Sequence, residues 1–192
     1  MLIVVRHGRT EANASGLLVG RRVDPPLDDL GRRQAASLAS VVAGATRVVC
    51  SPLLRTRETA DALGLPVAVD ERWIELDYGE LDGVPMSEVP ATTWATWRAD
   101  LGWCPPGGES LAALAERVRG ACEALAEEAA TSDVVVVTHV SPIKAAVAWA
   151  LGAVPEITWR MYSAPASVTR ISITGATPSL HTYNETAHLP TS

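Results

Sequence analysis

Residues 134 to 144 read Val-Val-Val-Val-Thr-His-Val-Ser-Pro-Ile-Lys, and they decide the fold. Four β-branched residues in a row, Val134 to Val137, lack the alternation of a half-exposed strand and fit one covered on both faces, as in a parallel sheet. Thr138 and His139 follow at the carboxyl end, and Ser141-Pro142 supplies the capping residue and first-turn proline that open a helix. Two earlier runs repeat the pattern. Leu2 to Val5 leads into Arg6-His7-Gly8-Arg9-Thr10, and Val48 to Cys50 leads into Ser51-Pro52-Leu53-Leu54-Arg55, a second Ser-Pro helix start.

Helical patterns lie between these strands. Leu27-Asp28-Asp29-Leu30 opens a helix predicted to reach about Ala43, with Leu30, Ala35, Leu38, Val41 and Val42 apolar and Gly44 as the stop. Ser110 caps a longer one to about Ala130, with Leu111, Leu114, Val118, Cys122 and Leu125 on one face. The alternation predicts one α/β domain over residues 1–192, three layers α/β/α with a mostly parallel central sheet and right-handed crossovers. Residues 77–109, rich in Gly and Pro, form a lid-like excursion around a helix from about Ala91 to Asp100. Its Trp94 and Trp97 have two readings, packing or stacking on a ligand. Val168 to Ile173 and Leu180 to Tyr183 predict a late pair of strands, an edge on which a homodimer can form, and the chain after Glu185 reads as a mobile tail.

Composition removes several classes. The 192 residues, 47% hydrophobic and 20% charged, suffice for a core without disulfides or a structural metal. A net charge of −6 argues against a nucleic-acid partner, yet it averages two unlike segments. Residues 1–60 hold nine Arg against five acids, net +4, while residues 61–192 hold seven basic residues against 17 acids, net −10. No apolar run approaches the roughly 20 residues of a membrane span, so no membrane partner is expected. Three cysteines without CxxC spacing suit a reducing compartment, and the start of the chain lacks the marks of a leader peptide, so the expected location is cytoplasmic.

In an open α/β sheet ligands bind beyond the carboxyl ends of the strands. There the three runs bring His7 and His139 together with Arg6 and Arg55, beside helix N-termini whose free N–H groups attract anions. A phosphate-like ligand is implied. Arg55, predicted at the fourth residue of its helix, stands where a cation is disfavoured unless a dianion binds; the alternative is pairing with Glu58, Asp61 or another acid. His7 reads as a hydrogen-bonded core residue, a metal ligand or a nucleophile. The convergence favours the nucleophile, whose neutral imidazole attacks phosphorus to give a phosphohistidine. HxH, HExxH and DxD patterns are absent, which disfavours a metal.

In order along the chain, RHGRTEAN at Arg6–Asn13, GRRVDPPLDDLGRRQA at Gly20–Ala35, SPLLRTRETA at Ser51–Ala60, IELDYGELDG at Ile74–Gly83, PGGES at Pro106–Ser110 and VVVVTHVSPIK at Val134–Lys144 resemble successive signatures of the histidine phosphatase, or phosphoglycerate mutase-like, superfamily. The wording around His139 is similar to the α-ribazole-phosphatase-like and acid phosphatase branch, which in some actinobacterial proteins is fused to ribonuclease H. No ribonuclease H stretch is recognised in these residues. The resemblance implies a metal-independent phosphomonoesterase with no cofactor and a small phosphorylated substrate. By that resemblance His7 is the phosphorylated nucleophile, Arg6, Arg55 and His139 complete the phosphate pocket, and Glu75 is the general acid and base. Thr10 and Asn13 match positions that contact phosphate or order its loop, and Val140 stands in the pocket where Gly is usual. Glu75 needs a proton to act as acid, which burial and the neighbouring Asp77 and Asp82 are expected to favour, with activity at acidic to neutral pH. Without the motif, Glu75 reads as a solvated carboxylate in an acidic loop. Arg9 replaces a more usual Glu or Gln, adding a cation at the rim that favours a multiply charged substrate; Asp82 replaces a common Glu. Two other readings stay in view: a phosphoglycerate mutase-type isomerase and a silent phosphate-binding module.

Overall fold

The computed structural model of the chain describes residues 1–175 and 177–190. Strands β1 (Leu2–Arg6), β2 (Arg47–Cys50), β3 (Val67–Val69), β4 (Val134–Thr138), β5 (Val168–Thr174) and β6 (Thr177–Glu185) form one sheet in the order β3-β2-β4-β1-β5-β6. The first four in that order are parallel, while β5 runs antiparallel to both β1 and β6. The late pair is thus present and longer than the weak alternation suggests.

Every residue of β1 and of β4 is buried, as their unbroken apolar runs require. Leu2, Val4, Val134 and Val136 pack on one face against α5 (Leu111–Thr131) and α6 (Val140–Ala150). Ile3, Val5, Val135 and Val137 pack on the other, with Leu38 of α2 (Asp29–Leu38) and Ala60 of α3 (Leu54–Asp61). Each such side chain removed from water contributes ~1.5–3 kcal/mol before entropy is counted. A helix layer on each face therefore follows from strands with no polar side.

Register then positions the chemistry. Arg6 pairs with Thr138 and Cys50 with Val137, so β1, β4 and β2 end nearly level. The His7 N–H donates to the Thr138 carbonyl at 2.9 Å and the Ser51 N–H to the Val137 carbonyl at 3.1 Å. From β1 the chain crosses to β2 on one side, and from β4 it passes to β5 on the other, so the strand order switches between the two histidine-bearing strands.

Four boundaries differ from expectation. α2 ends at Leu38, because Ser40, Val41 and Val42 are weak helix formers and a turn there seats Val42 in the core. α3 begins at Leu54 without a side-chain cap of its own, since the Ser51 hydroxyl is engaged elsewhere. α6 begins at Val140 with His139 as its N-cap, two residues before the position predicted for Pro142. Of the predicted tail, residues 186–190 are held against the body, since His188 Nε2 donates to the Ala166 carbonyl at 3.0 Å and Leu189 packs on the core, while residues 191 and 192 lie outside the described residues. Ser110 does cap α5, accepting from the Ala113 N–H. The excursion contains α4 (Ala91–Ala99), close to its predicted span.

Candidate active site

At the carboxyl ends of β1 and β4 lies a pocket of about 390 Å³. Arg6, His7, Asn13, Glu75 and Val140 line it, whereas Arg55 and His139 sit fully buried and outside its lining. The His7 and His139 rings meet edge to face, 5.2 Å between centroids.

His7 Nδ1 lies 2.7 Å from the Gly8 carbonyl, an atom that only accepts, so the proton of the neutral ring is on Nδ1 and the lone pair on Nε2. Burial, with the charges of Arg55 and Arg6, drives the His7 pKa well below the usual histidine range. His139 is shifted the same way by burial, Arg55 and His7, which favours the neutral imidazole. His139 Nε2 and the Ser51 hydroxyl are 2.7 Å apart. That contact gives the Ser51 side chain a role other than capping.

Arg6 Nη1 donates to the Ser163 carbonyl at 2.6 Å, and burial lowers its pKa to about 10 despite the opposing charge of Glu75. Arg55 Nη2 donates to the Gly20 carbonyl at 2.8 Å and Nη1 to Asp24 at 3.2 Å. The partner acid is Asp24, from a distant loop, and it also accepts from the Leu54 N–H at the start of α3. One carboxylate thus offsets both the Arg55 cation and the helix dipole. Arg6 Nε, Arg55 Nε and His139 Nδ1 are buried without a protein partner among the described residues. Orphaned buried polar groups of this kind call for a polar ligand.

Glu75 is 3% exposed, unlike a solvated loop carboxylate. Its Oε1 accepts from the Leu76 N–H at 2.8 Å and from the Ser141 N–H, in the first turn of α6, at 3.2 Å. Neither expected acidic neighbour contacts it: Asp77 accepts from the Gly79 N–H, and Asp82 from the Gly20 and Arg22 N–H groups. Its main-chain carbonyl instead accepts from Arg21 Nε at 2.7 Å and Arg117 Nη2 at 3.2 Å, two guanidiniums joined by the Glu109 carboxylate. Arg21 and Glu109 stand inside the quoted GRRV and PGGES stretches, which was the available signal for them.

Thr10 is buried and caps α1 (Glu11–Ala14) in a reciprocal bond pair with Asn13; it orders the loop and does not line the pocket. Arg9 does not reach the pocket either, because its Nε pairs with Asp28 at 2.7 Å. Trp94 and Trp97 stack 5.7 Å apart and both line the pocket, so packing and ligand-facing roles coincide. Lys144, Ser51 and Asp24 are the functional candidates that sequence reasoning passed over.

At the switch point of the sheet, Arg6 and His7 line the pocket and Arg55 and His139 lie buried behind them, so two guanidiniums and two imidazoles from distant segments are grouped at one place. The chain belongs to the histidine phosphatase superfamily, whose branch 1 model matches residues 2–186. A glucosyl-3-phosphoglycerate phosphatase of Mycolicibacterium vanbaalenii is 35% identical over 92% of this chain and 84% of its own. A bifunctional protein of Mycobacterium tuberculosis is 33% identical over 98% of this chain and 54% of its own, so the chain spans about half the length of that relative. Among solved structures, a phosphoserine phosphatase of Entamoeba histolytica in complex with 3-phosphoglyceric acid superposes with a TM-score of 0.90 at 25% identity over 98% of each chain. The architecture is the phosphoglycerate mutase-like fold of such neighbours.

Proposed function

We propose that the protein is a phosphomonoesterase that hydrolyses a small phosphorylated metabolite through a phosphohistidine on His7, without a metal. The observation that carries this reading is the His7 tautomer: a buried neutral imidazole, with its proton fixed on Nδ1 by Gly8, presents an unprotonated Nε2 in a pocket that also holds Arg6. Phosphoryl transfer asks the protein mainly for in-line positioning and for positive groups at the equatorial oxygens. Arg6 meets the phosphate directly, Arg55 adds its positive charge from behind the lining, and His139 packs edge to face on His7.

Nε2 of His7 attacks phosphorus as the bond to the ester oxygen breaks. Glu75, as the carboxylic acid, passes a proton to that oxygen, and the alcohol leaves. The resulting carboxylate then takes a proton from water, whose oxygen attacks the phosphohistidine, so phosphate is released and Glu75 and His7 return to their starting states. Oε1 of Glu75 is occupied by two main-chain N–H groups, which leaves Oε2 for this exchange. Hydrolysis of p-nitrophenyl phosphate in the presence of EDTA tests the proposal. Turnover that survives His7→Ala, or that appears only with added divalent cations, overturns it.

A further inference from the structure

The pocket lining is of two kinds. Leu17, Met86, Trp94, Trp159 and Tyr162 form much of the wall beside the polar group of Arg6, His7 and Glu75, and Lys144 of α6 also lines it. Among the described residues Lys144 has no salt bridge and no side-chain hydrogen bond. Burial lowers its pKa, against the attraction of Glu75. A half-buried ammonium with no carboxylate in direct contact is unfavourable unless a ligand supplies the charge.

The neutral polar groups of the lining are largely used within the protein. The Tyr78 and Ser141 hydroxyls lie 3.4 Å apart, the Ser163 and Ser167 hydroxyls 3.1 Å apart, and the Asn13 side-chain oxygen accepts from Thr10. Among the described residues the Thr158 and Tyr162 hydroxyls and the Trp97 and Trp159 N–H groups are left without a protein partner on the wall. These few scattered groups replace only part of the water that a polyhydroxylated alcohol would lose there, at a penalty for each group left unpaired. A hydrocarbon face would lose nothing and gain contact with the indoles.

Resting on the phosphatase reading, we infer that the substrate is a phosphomonoester whose alcohol part is mainly apolar or aromatic and carries a second acidic group, which pairs with Lys144. Lys144 is then the specificity-determining residue, separate from the groups that hold the transferred phosphate. Arg9, the other cation considered for that task, is already neutralised by Asp28.

The test compares kcat/KM for phenyl phosphate, 3-(phosphonooxy)benzoate and glucose 6-phosphate in the wild-type chain, Lys144→Gln and Lys144→Arg, with melting temperatures recorded for all three. The wild type should prefer the carboxylated ester to phenyl phosphate by ~10-fold, the size of a charge-assisted bond, and phenyl phosphate to the sugar phosphate by at least as much. Lys144→Gln should abolish the first preference and Lys144→Arg should keep most of it. Equal losses on all three esters would place Lys144 with the transferred phosphate and overturn the inference, as would an unchanged preference in Lys144→Gln or glucose 6-phosphate as the best substrate. No turnover of any ester by the wild type would instead defeat the phosphatase reading itself, and this inference with it.

Discussion

At the residue scale, the reading turns on two groups with opposite needs: His7 must be unprotonated, and Glu75 must begin with a proton. Burial among Arg55 and Arg6 meets the first need. Consequently protonation of His7 does not limit activity near neutrality, and the acid limb of a kcat/KM profile should fall below the ordinary histidine value of about 6.5. A limb at or above that value would count against a buried neutral nucleophile. Glu75→Gln keeps the acceptor for Leu76 and Ser141 but removes the transferable proton, so kcat should fall by ~10²–10⁴-fold with the fold intact by circular dichroism. Linkage gives a second consequence. Both histidines have folded values below their unfolded ones, so the unfolded chain binds more protons as pH drops below about 6.5. Stability is full above that pH and is lost as pH falls toward the folded values, at up to ~1.4 kcal/mol per pH unit for each group. Melting scans from pH 7.5 to 5 should show this decline, reduced in His7→Asn.

His7, Arg6 and His139 were legible in the sequence because each follows directly on an apolar strand. Glu75 was legible only through its motif, since an acidic loop gives no sign of the carboxylate being buried. Asp24 and Ser51 were not legible: their roles depend on which distant hydroxyl or guanidinium the fold brings to them.

At the scale of elements, the helix starts show what local rules miss. Ser-Pro is a good start signal, yet tertiary bonds override it at both occurrences, to His139 in one case and to Glu75 in the other. The cap of α3 comes from Asp24, 30 residues upstream of Leu54. Asp24→Ala should therefore destabilise the chain by ~1–2 kcal/mol, the range of a lost N-cap, and also leave Arg55 without its acidic partner. Denaturant unfolding measures it; a change below ~0.3 kcal/mol would show that the cap is immaterial. The phosphate loop and α2 meet backbone to backbone: a Cβ on Gly8 would lie 2.5 Å from the Gly31 carbonyl oxygen, and one on Gly31 2.0 Å from that of Arg9. Both positions demand glycine for this close approach. Gly31→Ala should lower stability by ~1–3 kcal/mol through overpacking and reduce turnover by moving the loop that carries His7.

Over the whole molecule, the sheet order is what makes one site out of distant segments. Residues 7, 55 and 139 converge because β4 inserts between β2 and β1, a crossover that no local pattern specifies. The alternation of strands and helices predicted the layers, while the order of strands had to come from the structure. Charge is arranged on the same scale: a chain of net charge −6 keeps the Arg6 and Arg55 cations inside, where salt screens them little. Raising ionic strength from ~0.05 to ~0.5 M should thus change kcat/KM for a dianionic ester by less than ~3-fold, as steady-state assays would show.

The central claim is covalent: the phosphoryl group resides on His7 between ester and water. Rapid acid-free denaturation of the protein during turnover of a ³²P-labelled ester, followed by peptide mapping, tests it most directly. The account predicts an acid-labile, base-stable phosphoryl group on the peptide containing His7, absent in His7→Asn. Full turnover with no labelled protein at any time, or label on His139, would contradict it.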